Sequence, residues 1–286
     1  MAEELSAFAI SPFRWVAMDF SGHGSSRPIR AGGSRDWQFA VEDITEVLEE
    51  FSGGAPVFGV GHSMGGAALL MASLAEGKNT SFRSLVLFEP IVLPPSADEE
   101  LLNPLIDTTQ RRRRMWPSVE DAQEYFAGRA AFSRFDPRAA AAYAHGGTRQ
   151  ATDGVGVELA CDPADEAALY RDGPRYLRQR LHEIRVPCHV VSAELSRPPL
   201  DADYYRRLVA SSVAESPAVK APAPPGGVGG PTAVPKEAWG FEELPGCGHF
   251  LVMENPRAAA AAVARAGNRT GFGHCFRVRA GVDCGP

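Results

Sequence analysis

The stretch VFGVGHSMGGAALL, residues 57–70, decides the fold of this chain. An apolar run is followed by a serine between glycines and then by a run of small and apolar residues. This order predicts a buried strand, a tight turn and a helix. The turn GHSMG, residues 61–65, has the pattern G-x-S-x-G, which at such a turn exposes a serine hydroxyl at the sheet edge. We therefore predict that Ser63 is a nucleophile, the alternative being a chance match in a glycine-rich chain.

Glycines lie on both sides of this serine because the turn leaves little space for side chains. The serine backbone at such an elbow is strained, and large side chains beside it would collide with the strand and the helix. The N-terminus of the following helix offers free N–H groups and a partial positive charge. Both stabilise an oxyanion that forms when a hydroxyl attacks a carbonyl.

Strand and helix patterns alternate on both sides of the elbow. The predicted strands are RWVAMDF, SLVLFEP, VPCHVVSAE and FEELPG, and the flanking predicted helices include DWQFAVEDITEVLEEF, DADYYRRLVA and PRAAAAAVARAG. Alternation of this kind predicts a mostly parallel sheet with helices on both faces, the α/β class.

The middle of the chain departs from this alternation. From residue 96 to about residue 183 no clear strand pattern occurs, and the candidate helices are SVEDAQEYFAGRAAF and DPRAAAAYAHG. We predict an all-helical lid over residues 96–183, inserted between a first core part, residues 1–95, and a second core part, residues 184–266.

Two segments do not resemble the rest of the chain. A Pro/Gly-rich stretch at about residues 211–237 cannot bury a core, and we expect a disordered loop there. Residues 267–286 contain glycines and cysteines without periodicity, and we expect an irregular tail.

Composition limits the classes of function. The chain has 286 residues, of which 44% are hydrophobic, and a formal net charge of −6. This composition does not predict a nucleic-acid-binding surface, and the one basic run, RRRR at residues 111–114, is typical of a solvated face. We expect a small-molecule substrate and no nucleic-acid partner, while the oligomeric state stays unknown.

Cysteine usage and the first residues bear on the cellular compartment. The five cysteines are odd in number and form no C-x-x-C pair, which argues against a disulfide framework or a zinc site. The segment MAEELSAFAI lacks the basic flank and apolar core of a signal peptide. No stretch approaches the ~18 apolar residues of a membrane span. We expect a cytoplasmic protein with no membrane span, no metal and no organic cofactor.

A nucleophilic serine needs a base, because its hydroxyl reacts poorly at neutral pH. His249 lies in GCGHFLVMENP, after the last predicted strand and before a helix, and so at the same sheet edge as Ser63. His23 and His62 lie in tight turns, and we interpret both as structural hydrogen-bonding residues. His249 is therefore the candidate base.

Taken together, these motifs resemble the α/β-hydrolase fold superfamily. VAMDFSGHGSS, GVGHSMGGAAL, LVLFEPI and LPGCGHFLVMENP occur in family order, with a helical lid between the third and the fourth. The resemblance implies that Ser63 attacks a carbonyl carbon and that His249 takes its proton and returns it to the leaving group. It also implies that the backbone N–H of Met64 is one oxyanion donor.

The third member of the triad is left open. The family acid usually ends the strand that corresponds to PCHVVSAE, and the aspartate expected near Ser196 is absent. Glu89 is our first choice, because it ends the strand SLVLFEP and a strand end fixes a carboxylate beside a histidine better than a loose loop. Glu194, Asp201 and Asp203 are the alternatives, as is the lack of any working acid. The competing interpretation of Glu89 is a structural carboxylate that binds backbone N–H groups.

The resemblance also implies a strand that this sequence lacks. Family members carry it before the RWVAMDF strand, and its His-Gly end supplies the second oxyanion donor. It would lie between the RWVAMDF and PVFGVG strands, so we expect either that these two close up directly or that the chain is N-terminally incomplete. Loss of one oxyanion donor lowers a rate by ~10²–10³-fold.

Three functions are compatible with these features. The first is a serine hydrolase that cleaves an ester, thioester or similar acyl bond through an acyl-serine intermediate. The second is a non-catalytic small-molecule binder on the same scaffold, since fold does not fix function. The third is an acyltransferase that uses the same residues. Four lid aromatics either line an acyl pocket or pack the lid, namely Phe126, Phe132, Phe135 and Tyr143.

Overall fold

The structure is a computed structural model that describes residues 2–9, 13–29, 35–75, 82–94, 97, 99–215 and 239–269. Its strands are β1 Val57–His62, β2 Phe82–Phe88, β3 Met115–Trp116, β4 Thr148–Gln150, β5 Val157–Leu159, β6 Cys188–Ala193 and β7 Trp239–Leu244. Its helices are α1 Ala2–Ser6, α2 Gln38–Phe51, α3 Met64–Leu74, α4 Glu99–Gln110, α5 Val119–Ala127, α6 Pro137–Gly146, α7 Pro163–Arg171, α8 Leu177–Arg180, α9 Ala202–Glu215, α10 Leu251–Glu254 and α11 Pro256–Gly267.

The main sheet confirms the predicted α/β class. Its order is β1-β2-β6-β7, and every neighbouring pair is parallel. Because parallel strands end at the same edge, the residues that follow β1, β2 and β7 converge there. That edge carries Ser63, Glu89 and the loop that holds His249.

Both faces of this sheet are buried. Along β2 the side chains alternate, with Leu85 and Leu87 packed against α2, α3 and α9, and Val86 and Phe88 packed against α1 and α11. This alternation is the two-residue period of a strand. When helices cover both faces of a sheet, the sequence of each buried strand is a continuous apolar run. This is why LVLF could be predicted as a strand.

The predicted strand RWVAMDF does not form. Residues 14–20 have no strand assignment, and Trp15 and Val16 are 39% and 47% exposed. A strand persists only where its backbone groups pair with a neighbour. Within the described part of the chain, β1 is an edge strand that pairs with β2, so the expected direct closure of residues 14–20 onto β1 is wrong. The expected N-terminal incompleteness stays a prediction.

The segment between β2 and β6 is not all-helical, contrary to the prediction. It contains a small antiparallel sheet of order β3-β5-β4. These strands are two or three residues long, which is too short for a period-2 pattern to be visible. The two predicted helices are confirmed as α5 and α6. Ser118 caps α5 by accepting a hydrogen bond from the Asp121 N–H over 3.1 Å.

This segment, which we call the cap, has a hydrophobic core of its own, separate from the two cores of the main sheet. Trp116, Ala122, Phe126, Ala144 and Leu159 are buried together in it. Four aromatic side chains of the cap pack mainly with one another, with ring centroids 4.9–6.3 Å apart, namely Phe126, Phe132, Phe135 and Tyr143. Of the two interpretations made from the sequence, packing therefore describes their contacts. The division of the chain into core parts and lid stays a prediction.

The basic run of residues 111–114 is partnered within the chain. Arginines on a solvated face gain little from isolated pairing, but here each one reaches an acceptor. The contacts are Arg111 with Asp107 at 3.7 Å, Arg112 with Glu166 at 2.6 Å, Arg113 with the Met115 carbonyl at 2.9 Å, and Arg114 with Asp162 at 2.7 Å.

The structure describes only part of the two segments that do not resemble the rest of the chain. The disordered loop was predicted to start at about residue 211, and this start is wrong because α9 continues to Glu215. Residues 216–238 lie outside the described residues. Helix α11 ends at Gly267, the first residue of the predicted irregular tail. Residues 270–286 of that tail lie outside the described residues. In the described ranges, no helix combines the length and apolarity that crossing a bilayer requires.

Candidate active site

Ser63 occupies the turn between β1 and α3. Its φ of 54° and ψ of −118° form a conformation that L-residues rarely adopt, as expected for a serine on a strained elbow. Its N–H donates to the Phe88 carbonyl over 2.9 Å, which ties the turn to the end of β2. Its hydroxyl makes no capping bond to α3 and so stays available.

Two of the nearby glycines are needed for close backbone approach. A Cβ added to Gly61 would lie 2.6 Å from the Gly65 carbonyl oxygen, and one added to Gly66 would lie 3.0 Å from the Pro90 side chain. By contrast, a Cβ on Gly65 would meet nothing closer than Phe20 at 4.0 Å. The space requirement inferred from the sequence therefore falls on Gly61 and Gly66.

His249 lies between Ser63 and Glu89. Its Nε2 is 3.2 Å from Ser63 Oγ, and its Nδ1 is 2.8 Å from Glu89 Oε2. An acceptor carboxylate at Nδ1 holds the proton on that nitrogen and leaves Nε2 free to accept from the serine hydroxyl. The structure thus brings together Ser63, His249 and Glu89, our first choice among the candidate acids, with His249 in the middle.

The Glu89 carboxylate is buried, with 1% exposure, and fully hydrogen-bonded. Oε1 accepts from the Ala193 N–H at 2.8 Å and the Ser192 hydroxyl at 3.1 Å, while Oε2 accepts from the Ser196 hydroxyl at 2.8 Å as well as from His249. Burial raises the Glu89 pKa, but the bonds from His249, Ala193 and Ser196 outweigh it and hold that pKa below its ordinary value. The carboxylate is therefore ionised at neutral pH.

The alternative acids are engaged elsewhere. Glu194 Oε2 accepts from the Gly246 N–H at 2.7 Å, and Asp201 Oδ1 accepts from the Tyr204 N–H at 2.8 Å near the start of α9. Asp203 pairs with Arg206. Of the four candidate carboxylates, Glu89 is the one that contacts His249. Glu89 binds a backbone N–H, as the competing interpretation expects, and it also binds the His249 ring; its role as the triad acid stays a prediction.

Ser192 and Ser196 were not singled out as functional from the sequence. Ser196 stands where the family resemblance places an aspartate, and its hydroxyl donates to Glu89. A hydroxyl donor, Ser196, therefore stands where the resemblance implies a carboxylate. The carboxylate beside it is that of Glu89, which follows β2. The sequence signal for this network is an acid at the end of one predicted strand, β2, together with serines at the end of another, β6.

His62 fixes the backbone of His249. The His62 Nε2–H donates to the His249 carbonyl over 2.7 Å, and the two rings lie 4.9 Å apart. Burial and the neighbouring His249 lower the pKa of His62 to about 4, so His62 is neutral at neutral pH. His23 Nδ1 lies 3.2 Å from the Ser21 carbonyl. The structural role predicted for His23 and His62 is confirmed.

A second polar network supports the loop that follows residues 14–20. The buried Asp43 of α2 accepts from the Ser21 N–H at 2.7 Å and from the Ser21 hydroxyl at 2.9 Å, and pairs with Arg27 at 3.3 Å. Phe20, which directly precedes this loop, has the ring atom that a Cβ added to Gly65 would approach most closely, at 4.0 Å. Asp43 was missed because a single acid inside a helical pattern is indistinguishable from a solvated one.

The described residues contain no cluster of three or more side chains suited to a metal ion. The fold and the site together define the α/β-hydrolase class: a parallel sheet covered by helices, with a serine on the turn after one strand. The sequence matches the alpha/beta hydrolase family over residues 1–263, so the chain belongs to this family.

Curated relatives match only a short part of the chain. It is 40% identical over 81 residues to the abhydrolase domain-containing protein AKT2 of Alternaria alternata, which is 28% of this chain and 29% of the relative. It is 39% identical over 83 residues to AFT2-1 of the same organism, which is 29% of this chain and 30% of the relative. The matched region spans less than a third of either relative.

Solved structures resemble the fold over a longer range. E-2-(acetamidomethylene)succinate hydrolase superposes with a TM-score of 0.64 at 19% identity, covering 86% of this chain and 78% of the other. The peroxisomal alpha-beta-hydrolase Lpx1 of Saccharomyces cerevisiae gives 0.63 at 14% identity, covering 94% and 71%. An esterase of Mycobacterium tuberculosis gives 0.59 at 19%, covering 86% and 74%. At these identities the likeness concerns the fold alone.

Proposed function

We propose that this chain is a serine hydrolase that cleaves an ester, thioester or similar acyl bond through an acyl-serine intermediate. The observation that carries the proposal is the continuous line of contacts from Ser63 Oγ through the His249 imidazole to the buried Glu89 carboxylate. Membership of the alpha/beta hydrolase family supports the reaction class.

In the acylation step, Ser63 Oγ attacks the substrate carbonyl carbon while His249 Nε2 takes the hydroxyl proton. Glu89 stabilises the imidazolium that forms, because its carboxylate is ionised and 2.8 Å from Nδ1. The carbonyl oxygen becomes an oxyanion beside the N-terminus of α3, where the Met64 N–H is one donor. The imidazolium then gives its proton to the leaving group, and the bond between acyl carbon and leaving group breaks.

Deacylation repeats these steps with water as the nucleophile. His249 takes a proton from water, hydroxide adds to the acyl carbon, and Ser63 leaves with the returned proton. A neutral His62 suits both steps, because a second positive charge beside His249 would oppose formation of the imidazolium. The cap, which meets the loop carrying His249, would act as the lid over the acyl group.

The test is covalent labelling with a fluorophosphonate, followed by peptide mass mapping. We expect one adduct on Ser63 and none in Ser63→Ala, with an unchanged melting temperature as the control for folding. Hydrolysis of a short-chain aryl ester should disappear in the same variant. A folded wild-type chain that neither labels nor turns over an ester would support the non-catalytic binder instead. Transfer of the acyl group to an added alcohol in preference to water would support the acyltransferase.

A further inference from the structure

The cap touches the loop that carries His249 through three consecutive residues. We call residues 134–136 the clasp and residues 246–254 the histidine loop. The clasp precedes α6, and the histidine loop runs from the end of β7 through α10. Neither segment was identified from the sequence as a contact, because 110 or more residues separate their members.

Arg134 makes the polar part of this contact. Its Nε donates to Glu254 Oε2 at 2.9 Å, and its Nη2 donates to the Gly246 carbonyl. Arg134 is 52% exposed, but the Glu254 side chain is only 7% exposed. A buried carboxylate depends strongly on its few partners, so this ion pair differs from an ordinary surface pair.

Glu254 passes this restraint to the residue before the proposed base. The oxygen that binds Arg134 also accepts the Gly248 N–H at 2.9 Å. Gly248 is joined directly to His249, and the His249 carbonyl is held by His62. The backbone of His249 is thus restrained on one side by Glu254 and on the other by His62.

The other two clasp residues reinforce the same contact. The Asp136 N–H donates to the Met253 carbonyl over 2.9 Å. The Phe135 ring lies 5.4 Å from the ring of Phe250, which in turn lies 5.5 Å from the His249 ring. Each residue of the clasp therefore contacts the histidine loop within one or a few residues of His249.

From these contacts we infer that Arg134 is a positioning residue: through Glu254 and Gly248 it holds the His249 imidazole in line between Glu89 and Ser63. This inference rests on the proposed function. Seating of the cap on the core then completes the catalytic geometry. Small displacements of a base carry large rate penalties, so loss of this restraint lowers the rate of the chemical step.

The matched control is Arg149, also in the cap. It pairs with Glu158 at 3.1 Å, with side-chain exposures of 52% and 11%, which closely match those of Arg134 and Glu254. The Arg149–Glu158 pair lies within the small cap sheet, between β4 and β5. Replacing Arg149 therefore removes a comparable ion pair without touching the histidine loop.

The experiment compares Arg134→Gln, Arg134→Lys and Arg149→Gln with the wild type. We expect Arg134→Gln to slow fluorophosphonate labelling and kcat by about tenfold or more, with KM changed by less than about threefold. Arg134→Lys should recover part of the rate, since it restores the charge beside Glu254 but cannot bind Gly246 at the same time. Arg149→Gln should label at the wild-type rate.

A second readout does not require turnover. The proton shared by His249 Nδ1 and Glu89 should give a low-field NMR resonance, and that resonance should broaden or shift in Arg134→Gln but not in Arg149→Gln. If the wild type labels Ser63 while Arg134→Gln keeps both its rate and its resonance, the clasp inference is overturned and the proposed function stands. If the wild type does not label, the proposed function fails, and the resonance still decides whether Arg134 positions His249.

Discussion

Ser63 and Glu89 follow two neighbouring parallel strands directly and share a positive φ, 54° and 42°. Backbone hydrogen bonds join the two turns on both sides of Glu89: the Ser63 N–H donates to Phe88 over 2.9 Å, and the Ile91 N–H donates to Ser63 over 3.2 Å. The proposed nucleophile and the carboxylate that orients its base are therefore fixed to each other by main chain.

Replacing the Glu89 carboxylate should reduce catalysis strongly. Glu89→Gln removes the charge that stabilises the His249 imidazolium and permits the wrong tautomer, so we expect kcat to fall by about 10³–10⁴-fold. Steady-state hydrolysis of an aryl ester measures this effect. Glu194→Gln is the control, because its amide oxygen can still accept from Gly246; it should stay within about threefold of the wild type. Equal losses in both variants would contradict the assignment of Glu89.

The elbow glycines should differ in their tolerance of a methyl group. Gly61→Ala places Cβ 2.6 Å from a backbone oxygen, so we expect the free energy of unfolding to fall by about 1–3 kcal/mol and labelling of Ser63 to slow. In Gly65→Ala the added Cβ meets only Phe20, at 4.0 Å. Residue 65 lies in α3, where alanine is favoured over glycine by about 0.5–1 kcal/mol, so the free energy of unfolding should not fall in this variant. Urea unfolding of both variants is the measurement. A Gly61→Ala chain as stable as the wild type would show that the close approach is not required.

His62 should make stability depend on pH. Its pKa is lowered from 6.5 to about 4, so the unfolded chain binds a proton in this interval while the folded chain does not. Stability is therefore lost as the pH falls from 6.5 towards 4, by about 3 kcal/mol at most. In His62→Gln, which keeps an N–H donor for the His249 carbonyl, this part of the loss should vanish.

Urea unfolding at several pH values within that interval measures the effect. The exposed His145 provides the control, and His145→Gln should retain the wild-type pH dependence. Parallel losses of stability in the wild type and His62→Gln would assign the pH dependence to other groups.

Asp43 should contribute more to stability than its charge alone indicates. Asp43→Ala leaves the Ser21 N–H and hydroxyl without their buried acceptor, so we expect a loss of about 2–3 kcal/mol in the free energy of unfolding. Glu46→Ala removes the other partner of Arg27, an exposed carboxylate at 2.9 Å, and should cost about 0–1 kcal/mol. Chemical denaturation distinguishes the two. Similar small losses would mean that the Ser21 groups find water instead.

The parts of the site predicted from the sequence are those with local signals. Ser63 lies in a pentapeptide whose strand and helix flanks are both recognisable, and His249 follows a strand and precedes a helix. Because parallel strands place their ends at one edge, the proximity of these two residues follows from topology. Their catalytic roles are part of the proposed function.

The acid could not be fixed in this way. Glu89 and Glu194 each follow a strand, and choosing between them needs the sheet order, in which β2 neighbours β1 and β6 lies one strand further away. The failed strand at residues 14–20 has a similar cause, since an apolar run becomes a strand only when another strand pairs with it. The strand order and the presence of a pairing partner both depend on segments that are distant in sequence, and neither can be read from the apolar run alone.

The position of β1 at the border of the described sheet has a consequence for inactivation by heat. In the described sheet, β1 ends one residue before Ser63 and is joined by a hydrogen-bond ladder to β2 on one side. Border strands open at lower free energy than interior ones. Warming should therefore release Ser63, the proposed nucleophile, while β2, β6 and β7 remain assembled, so that hydrolytic activity is lost before the far-ultraviolet circular dichroism changes.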